Sequence, residues 1–90
     1  MKTIHLLIKG KVQGVFYRAT AKEKASGLKL SGWIKNTRDG HVEAVASGEE
    51  DDLQSFIAWC KKGPPGAQVK SVEITETQEK FTEGFLIIRE

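Results

Sequence analysis

The segment Gly10-Lys11-Val12-Gln13-Gly14-Val15-Phe16-Tyr17-Arg18 gathers the residue types best suited to chemistry in this chain. Thr3 to Lys9 read as a strand before it, and a helix-like segment opens at about Tyr17. A strand, a glycine-bearing turn and a helix start make an anion cradle, because turn N–H groups and the helix N-terminus direct partial positive charge at one spot. Arg18 adds a full charge and a planar fork of donors that matches a phosphate. A cation in a first helical turn is repelled by the helix dipole, and an anion bound between the two relieves that cost. The segment points to a grip on a small phosphorylated or carboxylated molecule. It is not a Walker P-loop, since no Gly-Lys-Ser/Thr follows, and its glycine spacing is not that of the dinucleotide fingerprint. Two glycines four apart also fit a plain strand-to-helix connection.

A second polar residue closes the run Gly32-Trp33-Ile34-Lys35-Asn36. Asn36 reads either as a turn-initiating asparagine or as a carboxamide that orients a ligand or a water. Segments 8–18 and 32–38 hold Lys9, Lys11, Arg18, Lys35 and Arg38 and no acid, so their meeting in space would create a local positive site. His5 and His41 have no cysteine or carboxylate at metal-ligand spacing, and neither sits in a nucleophile motif, so a metal centre and a Ser-His-acid triad are not expected. Trp33 and Trp59 are not spaced as a stacking platform for RNA.

The elements that must position these residues follow from periodicity. Ile4, Leu6 and Ile8 alternate with His5, Leu7 and Lys9, which predicts a first strand whose second face is partly open. Tyr17, Ala21, Ala25 and Leu28 recur at helical spacing, and Gly27 fits the helix end. Leu28 to Asn36 reads as the next strand and Thr37-Arg38-Asp39-Gly40 as a hairpin turn. His41 to Ser47 reads as the return strand. Glu49 to Asp52 suit a helix N-terminus, Leu53, Phe56, Ile57 and Cys60 form its apolar stripe, and Lys61 and Lys62 suit its end. Gly63-Pro64-Pro65-Gly66 stops it. Val69 to Thr77, anchored by Val72 and Ile74, and Phe85 to Arg89 complete the strands, with Gln78 to Gly84 as a polar connection. This order is a split βαβ, ferredoxin-like α+β sandwich. Two helices are expected on one face of a mostly antiparallel sheet.

Ninety residues, 39% hydrophobic and 29% charged, are expected to form one globular domain, 1–90, with a modest core. A net charge of +2 is too small to argue for nucleic acid as a partner. No apolar run is long enough to span a bilayer, and the N-terminus lacks a signal-peptide pattern, so a cytoplasmic protein is expected. Cys60 is the single cysteine and lies on an apolar stripe, where it reads as a packing residue.

The two polar segments together resemble the acylphosphatase family. Its first signature is similar to Ile8-Lys9-Gly10-Lys11-Val12-Gln13-Gly14-Val15-Phe16-Tyr17-Arg18. Its second is similar to Gly32-Trp33-Ile34-Lys35-Asn36 followed by Gly40, Val42 and Gly48. Tyr17 departs from the phenylalanine or methionine usual before the arginine. Phe85 to Arg89 also looks family-like, though less specifically. The resemblance covers the whole chain and implies hydrolysis of carboxyl-phosphate bonds without a metal or an organic cofactor. It implies that Arg18 and the backbone N–H groups of Gln13, Gly14, Val15, Phe16, Tyr17 and Arg18 hold the phosphoryl group. Asn36 would hold the attacking water, with Thr37 supporting that geometry. The expected partner is a small-molecule acyl phosphate, with no membrane or nucleic acid, and the chain is expected to be monomeric. The alternative is a non-catalytic phosphate- or carbamoyl-phosphate-binding module, as found in a larger hydrogenase-maturation protein. The lack of zinc-finger-like cysteines after the domain favours the free-standing enzyme.

Overall fold

Period-two burial organises the first strand: Ile4, Leu6 and Ile8 are buried, while His5, Leu7 and Lys9 between them are half-exposed. The computed structural model describes Met1–Arg89. Its elements are β1 (Lys2–Lys11), α1 (Tyr17–Gly27), β2 (Ser31–Asn36), β3 (Val42–Gly48), α2 (Glu50–Lys62), β4 (Gln68–Thr77) and β5 (Phe85–Ile87). The strands form one sheet in the order β4-β1-β3-β2-β5. β1 pairs antiparallel with both β3 and β4, β2 pairs antiparallel with β3, and β5 runs parallel to β2. This is the ferredoxin-like α+β sandwich that the element order predicts, with its mostly antiparallel sheet.

One core holds the two layers together. Ile4, Leu6 and Ile8 of β1 and Val42, Ala44 and Ala46 of β3 pack with Tyr17, Ala21 and Ala25 of α1 and Leu53, Phe56, Ile57 and Cys60 of α2. The alanines on α1 let that helix lie close to β2 and β5, and the large side chains of α2 fill the width over β3, β1 and β4. Phe56 meets Phe85 edge-on at 5.7 Å between ring centroids, which pins the short β5 to the core. The first turn of α2 carries Glu50, Asp51 and Asp52 and its last turn Lys61 and Lys62, so both ends complement the helix dipole.

Several boundaries differ from the sequence expectation: β1 runs from Lys2 to Lys11 and β3 ends at Gly48, and four further shifts have a local reason. β2 begins at Ser31, not Leu28, because residues 28–30 close α1. The N–H groups of Lys29 and Leu30 donate back to Ser26 and Ala25 at 3.0 and 2.9 Å, and Lys29, not Gly27, takes the left-handed position with φ 60°. β3 begins at Val42, because His41 belongs to the hairpin turn. Its carbonyl accepts from the Thr37 N–H at 2.9 Å. β4 begins one residue early, at Gln68, and Ile74 is 40% exposed where an anchor was expected, since β4 is a sheet edge. β5 ends at Ile87, although the Ile88 N–H still donates to the Ile34 carbonyl at 2.9 Å.

Cys60 is fully buried, and loss of hydration pushes its thiol up to about 12. A thiol with a raised pKa stays protonated, hence unreactive, through the neutral range. Native protein at pH 8 is therefore expected to leave Cys60 unmodified by iodoacetamide, with full labelling after unfolding in denaturant. Rapid labelling of the native protein would show that the helix opens locally. The sign for stability is that the contribution is complete below the unfolded-state value of 9.0 and is lost as pH rises towards 12.

Candidate active site

The connection between β1 and α1 is built from strained and open backbone. Val12 is buried and anchors its base. Gly14 takes φ 74° with nothing within 4 Å of a built Cβ, so glycine is needed there for conformation and not for space. Phe16 also takes a left-handed conformation, φ 63°, while its side chain is 82% exposed. For a bulky L-residue this costs about 1–2 kcal/mol, and an exposed ring recovers little of it. Strain of this kind marks a backbone held for function. Phe16 is the N-cap of α1 yet offers no side-chain cap, and the first turn contains no acid. Among the described residues, no group accepts a hydrogen bond from the N–H groups of Gly14 to Ala19. A helix N-terminus left open in this way presents a ring of donors to an anion.

Gly10 plays a different part from the one its place in the motif implies. It lies inside β1 at the register shift against β4, with φ 134°, and a Cβ there would stand 2.2 Å from the Gln68 carbonyl oxygen. It serves strand approach, and the cradle begins after it.

The open donors face a pocket of ≈ 350 Å³ lined by Val12, Gly14, Phe16, Tyr17, Arg18 and Asn36, among others. Arg18 comes from the first turn of α1 and Asn36 from the last position of β2, so the hairpin and the loop converge on one recess. Among the described residues neither side chain has a hydrogen-bond or ionic partner, and both remain available to a ligand. Arg89, just past β5, lines the same pocket. No Asp, Glu, His or Lys lines it among the described residues. The one further ionisable group, Tyr17, is buried, donates its hydroxyl to the Cys60 carbonyl at 2.7 Å, and has its pKa raised by burial. A wider groove of ≈ 690 Å³ on the other side of the loop holds Asp39 and His41 but neither Arg18 nor Asn36. The smaller recess alone of the two brings Arg18 and Asn36 together.

Gln13 faces away from that recess. Its Nε2 donates to the Thr37 and His41 carbonyls, both at 2.8 Å, and so ties the loop to the hairpin turn. The Thr37 hydroxyl bonds Asp39 and accepts from the His41 N–H at 3.0 Å, which stiffens the turn that follows Asn36. Both act on geometry through the backbone. Each of the two carbonyls has another backbone donor, so Gln13→Ala leaves no orphaned acceptor. The variant is expected to lose about 1 kcal/mol of stability, a Tm drop of about 4–8 °C, and several-fold in phosphate affinity. An unchanged phosphate affinity would show that the loop holds its shape without this tie.

The two basic segments do meet, but not all of their charges join the site. Lys9 pairs with Glu73 at 2.9 Å and Lys35 lies 3.9 Å from Glu43, both on the open sheet face. Arg18 is the one cation of those segments that lines the recess. Arg89 was missed because only the parallel pairing of β5 with β2 carries it there, and no local motif marks it. The tyrosine at position 17 is explained by its buried partner, the Cys60 carbonyl, and its ring packs 5.2 Å from Trp59.

A ferredoxin-like sandwich with an uncapped helix N-terminus, an arginine and a carboxamide around one recess defines a small phosphate-handling α+β protein. Residues 4–87 match the acylphosphatase family, and the chain belongs to that family. It is 46% identical over 92 residues to an acylphosphatase of Methylococcus capsulatus, covering 100% of this chain and 99% of that protein. It superposes on the crystal structure of the Bacillus subtilis acylphosphatase with a TM-score of 0.94 at 37% identity, covering 99% of this chain and 100% of that one. The HypF protein of T. kodakarensis is also similar, with a TM-score of 0.84 and 31% identity, but this chain covers only 12% of it.

Proposed function

We propose that this protein hydrolyses acyl phosphates to a carboxylate and inorganic phosphate, with residues 1–90 acting as one unit. The observation that carries the reading is a recess with phosphate donors and, among the described residues, no carboxylate, histidine or lysine, its buried Tyr17 staying protonated. Hydrolysis of an ordinary phosphate ester expels an alkoxide and needs an acid to protonate it. An acyl phosphate expels a carboxylate, whose conjugate acid has a pKa of roughly 4, so it departs unaided.

Each residue then has a defined task. The N–H groups of residues 13–18 and the Arg18 guanidinium hold the phosphoryl oxygens. They match the charge that spreads over those oxygens in the loose transition state of phosphoryl transfer. The Asn36 carboxamide oxygen accepts a hydrogen bond from a water and keeps it in line with the bond to be broken. The P–O bond to the acyl group breaks as the water oxygen bonds phosphorus, and a phosphoryl oxygen takes the water proton. Thr37 and Gln13 hold the hairpin and the loop at the spacing this alignment needs. The family match at near-full length favours this reading over a binding module of a larger protein. The reading also takes the chain as a cytoplasmic monomer acting on small molecules. Among the described residues no helix is long and apolar enough to cross a membrane.

The test is phosphate release from benzoyl phosphate and from phenyl phosphate by the same preparation. Turnover of the first and none of the second is expected. Comparable turnover of both would mean that an acid serves the leaving group, and the reading would fail.

A further inference from the structure

Arg89 has no place in the reaction described above, yet it borders the site twice. It lines the pocket that holds the open loop donors. It also lines a second recess of ≈ 350 Å³ formed with Arg18, Asn36 and Ile88. No loop residue from 12 to 16 lines that second recess. Arg18 and Asn36 therefore stand between two spaces, one rich in backbone donors and one lined by the chain after β5. A phosphoryl group belongs with the donors. The acyl group attached to it must lie elsewhere, and the adjoining recess offers an apolar side chain, Ile88, and one further cation. Among the described residues Arg89 has no ionic or hydrogen-bond partner, and no carboxylate lines either recess.

Because Arg89 also borders the recess that lacks the loop donors, its guanidinium can recognise a second anion there by a paired, charge-assisted contact. Resting on the acyl phosphate reading, we propose that Arg89 is a specificity residue that favours acyl phosphates whose acyl part carries its own carboxylate or phosphate. The preference is modest, because Arg89 is exposed and the contact is screened by salt.

Non-hydrolysable benzoylphosphonate and its 3- and 4-carboxy derivatives separate this contact from turnover. Their dissociation constants are measured by calorimetry at low and at physiological salt, for wild type, Arg89→Ala and Arg89→Glu. Wild type is expected to bind at least one carboxylated analogue about fivefold more tightly than benzoylphosphonate at low salt, and less so at high salt. Arg89→Ala removes that ratio and Arg89→Glu inverts it. Retention of the ratio in both variants, equal binding of all three analogues by wild type, or equal weakening of all three in Arg89→Ala would overturn the assignment. Failure of the hydrolase reading looks different: binding ratios intact, with no phosphate released from the corresponding benzoyl phosphates. Circular dichroism of each variant checks the fold, which an exposed position after β5 leaves undisturbed.

Discussion

Replacing Arg18 by lysine is expected to lower kcat/KM for an acyl phosphate by about a thousandfold, within the range for an arginine that stabilises phosphoryl transfer. The two side chains carry the same charge, so the loss isolates geometry. A guanidinium presents two parallel N–H groups in one plane to two phosphoryl oxygens, whereas an ammonium is a single point of charge on a flexible stem. The position sharpens the effect. Arg18 projects from the first turn of α1, where the helix dipole disfavours a cation and no acid compensates. A bound phosphoryl group resolves that conflict, so Arg18→Ala is expected to raise the thermal stability of the free protein slightly while abolishing turnover. A lysine variant that keeps most of its activity would show that Arg18 supplies field alone, and the bidentate role would be lost.

Asn36→Ala makes the complementary prediction. Its carboxamide has no protein partner among the described residues, so its removal orphans nothing and the fold should stand. Turnover is expected to fall by about a hundredfold or more, the usual scale for deleting one positioned polar group around a transition state. Inorganic phosphate should still bind, since the loop N–H groups and Arg18 are untouched. Loss of phosphate affinity in step with turnover would instead make Asn36 a ligand-binding residue, with the water held by something else.

The placement of these two residues at a helix start and a strand end was legible in the sequence because the signals are local. A strand-turn-helix pattern places Arg18 on the helix start, and a strand-turn boundary places Asn36. The hairpin that brings them together is announced by Asp39-Gly40. What stayed hidden depends on pairing between distant segments. The charges of Lys9 and Lys35 look unopposed along the chain, but their acids, Glu73 and Glu43, arrive from neighbouring strands. Arg89 reaches the site only through the parallel pairing of Gly32, Trp33 and Ile34 with Phe85, Leu86 and Ile87. A three-residue strand has too short a period to announce such a partner. The start of β2 was misplaced because Lys29 adopts the left-handed turn that usually calls for glycine, so Leu28 to Leu30 looked like extended chain. Ile74 looked like a core anchor because periodicity reports which side a residue faces and not whether that side is covered.

The most direct test of the account is phosphate release from benzoyl phosphate in the presence of a chelator, with wild type and Asn36→Ala compared side by side and phosphate affinity measured on both. The account predicts turnover by wild type that the chelator does not diminish, collapse of turnover in the variant, and equal phosphate affinity. A folded wild-type protein that binds phosphate but releases none from benzoyl phosphate would contradict it and leave a binding module in its place.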